Sequence, residues 1–245
     1  MLMETYQIPD TQSRRVPVSE IQRRLAHKAT EEPGHRFGHL YDLLTWETVL
    51  REAAHRLRAN KGSRTAGIDG MDRRVLQGSQ LEHHLAQLQQ QLRAGTYQPS
   101  PVRRVYIPKR NGKRRPLGIP TLYDRWVQMA LKVILEPIYE SDFANYSHGF
   151  RPQRSCHTAV AHIHKYTQIR KRKYYWVIEG DIEGFFDHVH HKKLMALLRQ
   201  RIRDPRLLDL LWHFLKAGVM EGQLFVKTEE GTPQGGVRAL RGAQW

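Results

Sequence analysis

The sequence carries a single cysteine, Cys156, among 245 residues. One thiol cannot close an internal disulfide, and a cysteine-based zinc site needs more thiolates, so both are excluded as organising devices. Long apolar runs are missing too. The longest greasy stretch, Val127 to Leu135, is interrupted by Lys132. The leading MLMETYQIPD lacks the basic-then-apolar order of a secretory signal, so no membrane span and no signal peptide are expected. These absences together imply an intracellular, reduced, cytoplasmic setting. Acids are scarce: 40 Lys+Arg stand against 24 Asp+Glu, a formal charge of +16. That excludes an acidic or neutral cytosolic enzyme as the default, and nucleic acid is the commonest partner for such an excess.

What is present is enough apolar surface for a core. Apolar residues make up 40 %, with 10 Tyr, 7 Phe and 5 Trp, which argues against wholesale disorder and for one or two folded domains. The charge is also segregated. Pro99 to Pro116 holds seven basic residues, Arg103, Arg104, Lys109, Arg110, Lys113, Arg114 and Arg115, with no acid. Arg151 to Lys173 holds seven more, again without an acid. Between the second stretch and the next helix lies the reverse, EGDIEGFFD, with Glu179, Asp181, Glu183 and Asp187. A basic surround with an acidic centre suits a metal-dependent enzyme acting on polyphosphate, whereas a merely solvated face would mix the signs.

Periodicity sets the coarse organisation. Residues 1–40 are polar without a repeat and read as an irregular or partly ordered lead-in. Trp46, Val49, Leu50, Ala53 and Leu57 recur at helical spacing, and NKGSRTAGIDG then marks a loop. Leu81, Leu85, Leu88 and Leu92 line a second helix that stops at Gly95. Pro101 to Pro108 reads as a strand, with Asn111-Gly112 as a tight turn into a second strand ending at Ile119. Tyr123, Trp126, Val127, Ala130, Val133 and Ile134 line a helix that Pro137 should end or kink. A helix over 155–170 follows. Tyr174 to Gly180 (YYWVIEG) is the best strand by composition. Helices over His191–Ile202 and Pro205–Leu215 come next, the latter with Asp204 as cap, then a hairpin around Glu221-Gly222. The pattern is α+β with no internal repeat.

PLGIP (116–120), SHGFRPQRS (147–155), EGDIEGFFD (179–187) and GTPQGG (231–236) stand in an order and spacing that resemble the group II intron-encoded reverse transcriptases, or maturases. NKGSRTAGIDG (60–70) resembles their N-terminal extension. The resemblance runs from about residue 42 to Val237 and implies an α+β right-hand polymerase (reverse transcriptase) fold and a cytoplasmic setting of bacterial type. It divides the chain into a lead-in (1–41), the N-terminal extension and start of the fingers (42–95), fingers (96–173), the first part of the palm (174–237) and an off-pattern tail (238–245).

The same resemblance assigns roles. Asp181, with the backbone carbonyl of Ile182, corresponds to ligands of catalytic Mg²⁺, whose hard character suits oxygen donors. Phe186 resembles the bulky gate that excludes a 2′-hydroxyl, with Phe185 beside it expected in the core because strand neighbours face opposite ways. Lys109 and Arg115 resemble finger residues that close on a deoxynucleoside triphosphate, and Gln234 the residue that buttresses it. Arg103, Arg104, Arg110, Arg114 and Arg151 are candidates for RNA contact; Arg151 fits a structural role equally well. Asp187 has the weaker claim, since it also suits a cap on the following helix. His162, His164, His188, His190 and His191 lack a matching cysteine or second pair and are read as solvated or backbone-contacting groups rather than metal ligands.

The implied partners are intron RNA, an RNA template with a DNA primer, and deoxynucleoside triphosphates. The departure from the family lies after Val237. The family continues into a helix and a tyrosine-x-Asp-Asp turn that completes the metal site; here RALRGAQW follows, and the last acid is Glu230. A frameshifted or broken gene would look like this. The expectation is therefore a reverse transcriptase fold cut within the palm, inactive alone, with a noncatalytic RNA-binding fragment as the alternative.

Overall fold

The computed structural model describes residues 16–108, 112, 114–167 and 176–232. Lys109, Arg110 and Asn111, residues 168–175 and everything from Pro233 onward lie outside the described residues, and with them the expected roles of Lys109, Arg110 and Gln234.

At the centre is α5, Leu122–Tyr139. It is apolar almost all round, with Trp126, Val127, Ala130, Leu131, Val133, Ile134 and Ile138 buried, as expected of a helix wrapped on several sides. Three helices wrap it: α1 (Val18–Glu31), α2 (Leu40–Leu44) and α3 (Glu47–Ala59). The first corrects the expectation of an irregular lead-in. Ile21, Leu25 and Ala29 are spaced four apart and buried, a stripe narrow enough to be lost among six charged or amide neighbours yet sufficient to seat a helix.

Pro137 neither ends nor visibly interrupts α5, which continues to Tyr139. A proline has no N–H for the carbonyl four residues back, here that of Val133. Gln22 of α1 supplies the missing donor: its Nε2 donates to the Val133 carbonyl at 2.9 Å. The helix break is thereby turned into a tie between two helices.

α4 (Gly78–Ala94) packs on α3 and ends at Gly95 as the leucine spacing implies. The chain then enters β1 (Val102–Pro108), anchored at its start by Asp124 in the first turn of α5. The buried Asp124 carboxylate accepts from the Tyr97 hydroxyl at 2.5 Å, the Thr121 hydroxyl at 2.5 Å and the Ser100 amide at 3.2 Å. Burial pushes its pKa up against the pull of those donors.

β1 pairs antiparallel with β2 (Arg114–Ile119), from Arg103↔Ile119 to Pro108↔Arg114. On its other side β1 pairs in parallel with β3 (Val219–Glu221), which forms a hairpin with β4 (Leu224–Val226), so the sheet order is β2-β1-β3-β4. The NKGSRTAGIDG loop docks on the end of β2. Asp69 accepts from the Leu122 amide at 2.9 Å, and a Cβ at Gly67 would sit 2.7 Å from the Pro120 carbonyl oxygen and the Thr121 Cα, so only glycine fits.

α6 (Cys156–Thr167), α7 (His191–Arg201) and α8 (Pro205–Lys216) occupy the expected positions. Asp204 caps α8 as anticipated, accepting from the amides of Arg206 and Leu207. The expected strand over Tyr174–Gly180 is not formed in its described part. Trp176, Val177 and Ile178 are 92, 83 and 99 % exposed, and no described strand lies beside them. Composition favours a strand there, but a strand exists only by pairing. The architecture is α+β, as the sequence implies.

Candidate nucleotide and nucleic-acid site

The acidic segment runs as an exposed chain without regular secondary structure to Ile182 and then turns at Phe185–Asp187, a single turn of 3-10 helix. Asp181 and the neighbouring Ile182 are exposed. Asp181 does not follow a strand among the described residues 176–180. Phe185 is 41 % exposed, which corrects its expected core role: within a tight helical turn adjacent side chains diverge by about a third of a circle, not half. Phe186 is half-buried, its ring edge-on to Phe185 at 5.4 Å. Asp187 does not cap α7; His190 does, accepting from the Lys193 amide.

Against this turn lies the start of GTPQGG. The Gly231 amide donates to the Val189 carbonyl at 2.9 Å and the Thr232 amide to the Phe186 carbonyl at 2.7 Å. Gly231 has φ +84°, and a Cβ there would be 2.7 Å from the Asp187 carbonyl oxygen, so the approach of the two backbones demands glycine. The His191 ring closes the contact, with Nε2 2.7 Å from the Gly231 carbonyl oxygen. His188 reaches Glu230 at 3.2 Å. Two motifs separated by some 40 residues thus form one structural unit.

A cleft of about 270 Å³ opens where this unit meets the sheet, lined by Arg104, Pro116, Asp187, Glu230, Gly231 and Thr232 among others. Arg104 is the basic candidate that reaches it. Arg103 instead donates to the Ala66 carbonyl at 2.6 Å, tying β1 to the NKGSRTAGIDG loop. Arg114 and Arg115 are exposed on β2 at the open end of the β1–β2 pair. Arg151 is engaged elsewhere. It bridges Glu140 at 2.6 Å, donates to the carbonyls of Ala144 and Ser147, and lies over the Phe143 ring. Four of its five N–H donors are thus engaged within the protein, an arrangement that suits the loop-ordering reading.

The donor set fits Mg²⁺ in kind, since a carboxylate and a carbonyl are both hard oxygen ligands. It is short in number: among the described residues no three His, Cys, Asp or Glu side chains are grouped to hold a metal. Of the histidines, His191 contacts a backbone carbonyl, whereas His188 faces an acid. His148 and His162 share a ring-to-ring hydrogen bond at 3.1 Å.

His191 is the residue whose importance the sequence hid. Burial is the main reason its pKa lies below the ordinary value near 6.5. A base with a depressed folded-state pKa binds fewer protons folded than unfolded, so its contribution is complete above pH 6.5 and lost as pH falls through the folded value. Melting temperature should therefore decline on acidification from pH 7 toward 5, and His191→Gln should flatten part of that decline. Thermal scans at stepped pH test this; parallel profiles for the two proteins would refute it.

Residues 107–240 match the family model described as reverse transcriptase (RNA-dependent DNA polymerase), more than half of the chain. Protein YkfC of Escherichia coli (strain K12) is 48 % identical over 221 residues, covering 90 % of this chain and 58 % of that protein. The group II intron-encoded protein LtrA of Lactococcus lactis subsp. cremoris is 41 % identical over 230 residues, covering 90 % of this chain and 36 % of LtrA. A putative COX1/OXI3 intron 2 protein of Saccharomyces cerevisiae is 34 % identical over 190 residues, 77 % of this chain and 21 % of the yeast protein. The chain thus spans a little over half of the first relative and about a third or less of the others. The four motifs, the docking of GTPQGG on the Phe186 turn and these matches agree: the chain belongs to the reverse transcriptase (RNA-dependent DNA polymerase) family, with the group II intron-encoded maturases.

Proposed function

We propose that these residues supply the nucleic-acid-binding fingers and the first metal-binding carboxylate of an RNA-directed DNA polymerase encoded by a group II intron. In that reading intron RNA is both the template and the partner whose folding for splicing the protein assists. Arg104 and Arg114 contact template phosphates. Arg115 and Lys109 grip the triphosphate of an incoming deoxynucleotide, Arg in a bidentate manner that Lys lacks. Phe186 faces the sugar and Gln234 supports the nucleotide. Asp181 and the Ile182 carbonyl hold Mg²⁺, which when bound neutralises charge on the triphosphate. A cytoplasmic setting belongs to the same proposal; among the described residues no helix is long and apolar enough to cross a membrane.

The observation that carries the reading is the seating of Gly231 and Thr232 on the Phe186–Asp187 turn beside Arg104. Asp187, the lead into PQGG and the Arg104 cation line one cleft, and Phe186, whose carbonyl accepts from the Thr232 amide, adjoins Asp187 in sequence. A second reading, an RNA-binding module without catalysis, is favoured for the 245 residues alone by the absence of any Asp-Asp pair from the sequence.

Both readings require phosphate contacts, which release counterions. RNA affinity should therefore fall with salt, log K against log salt having a slope of about −0.7 per phosphate contacted on a single strand. Arg104→Glu with Arg114→Glu should weaken binding to all RNA sequences alike, because phosphate contacts position without specifying. Filter binding over a salt series measures this, and a flat dependence would remove both readings.

A further inference from the structure

We propose that His191 is the positioning residue that clamps the Gly231–Thr232 strap onto the Phe186–Asp187 turn and so sets the opening offered to the sugar of an incoming nucleotide. The inference rests on the proposed role of Phe186 as the sugar-facing group.

His191 opens α7, and its ring is 2 % exposed, edge-on to Trp212 with centroids 6.2 Å apart. A carbonyl oxygen only accepts, so the hydrogen bond to Gly231 requires the proton on Nε2. Nδ1 is then the bare nitrogen; it is buried and has no partner among the described residues. The imidazole is committed to this one contact. The other two bonds of the strap, Gly231 to Val189 and Thr232 to Phe186, are backbone to backbone.

The strap has little freedom to find another seat. The left-handed φ of Gly231 and its approach to the Asp187 carbonyl fix one side, and the Thr232 amide is bonded to the carbonyl of Phe186 itself. A strap that lifts therefore releases the backbone of the residue proposed to face the sugar. Misplacement of a positioning group by about 1 Å can change a rate a hundredfold, and a 2′-hydroxyl differs from hydrogen by a single oxygen.

The test uses the whole 245-residue chain. Amide hydrogen exchange at Gly231 and Thr232 is measured in the wild type, His191→Leu and His191→Gln, and the Mg²⁺-dependent affinities for dATP and ATP are compared. In His191→Leu both amides should exchange about tenfold or more faster, since a buried carbonyl has lost its donor. The α5 amides should keep their protection, and the preference for dATP should collapse. His191→Gln, whose amide reaches the former position of Nε2, should restore both. If His191→Leu does not fold, His191→Asn, whose shorter amide cannot reach Gly231, serves as the loss variant. Unchanged exchange at Gly231 and Thr232, or a dATP preference that survives their release, would overturn the proposal. A wild type that protects both amides yet shows no preference for dATP would instead overturn the sugar-facing role of Phe186, and the second half of the proposal with it.

Discussion

Asp181→Asn should abolish template-directed extension in a polymerase that joins these residues to a tyrosine-x-Asp-Asp segment. In-line nucleotidyl transfer develops charge on the attacking 3′ oxygen and on the leaving pyrophosphate, and two ions about 3.5–4 Å apart stabilise both. Ions so close repel strongly and are held only by carboxylates that offset that repulsion. Asparagine keeps the shape of Asp181 and one oxygen but removes the charge, so the ion loses its strongest ligand here while the fold is undisturbed at an exposed position. At about 1.4 kcal/mol per tenfold, a loss of several kcal/mol of charge stabilisation lowers the rate by on the order of a thousandfold. Single-turnover extension by the two proteins at saturating RNA measures this. Comparable rates would mean that Asp181 is an ordinary solvated aspartate.

The largest effect on stability is expected at Arg201, far from that chemistry. Its guanidinium is buried between α7 and the segment after α1. It donates to the carbonyls of Ala29, Glu32, Pro33 and His35, and its Nε lies 3.1 Å from an Asp142 carboxylate oxygen. Beside it Phe37 and Ile202 form a parallel bridge, with the Phe37 amide donating to the Arg201 carbonyl at 2.7 Å. One side chain thus bonds a carbonyl in the last turn of α1 and carbonyls of the segment that follows, and ties them to an element 172 residues later in sequence. Arg201→Leu fits the space but removes the donor from the Ala29 and Pro33 carbonyls and leaves Asp142 without its cation. Removing one partner from such a buried charged network costs about 3–5 kcal/mol. Urea unfolding followed by tryptophan fluorescence gives the number, and a cost under about 1 kcal/mol would show that the network relaxes without loss.

What was legible in the sequence was what local chemistry decides. The leucine spacing of α4, the apolar spacing along one side of α5, the Asp204 cap on α8 and the β3–β4 hairpin each depend on residues within one or two turns of each other. What was not legible depends on distant partners. Pro137 looked like a helix end because its remedy, Gln22, lies 111 residues from Val133. The segment 176–180 has strand composition, but a strand needs a neighbour that no local pattern supplies. Arg151 sat in an acid-free basic stretch and read as a candidate for phosphate, while its partner Glu140 lay outside that stretch. At the site, the motifs named the residues and their order. The clamp between them was hidden, since a buried histidine bonded to a glycine carbonyl 40 residues away has no sequence signature beyond the tight glycine it serves.

Mg²⁺-dependent primer extension on an RNA template by the purified 245-residue chain, beside its Asp181→Asn variant, bears most directly on the reading of the site as a single-carboxylate half of a two-metal centre. The expected result is salt-sensitive RNA binding by both proteins and template-directed product from neither, because among the described residues no three His, Cys, Asp or Glu side chains are grouped to hold a metal ion. Product made by the wild type and lost in Asp181→Asn would contradict it, for the metal site would then be complete within these residues.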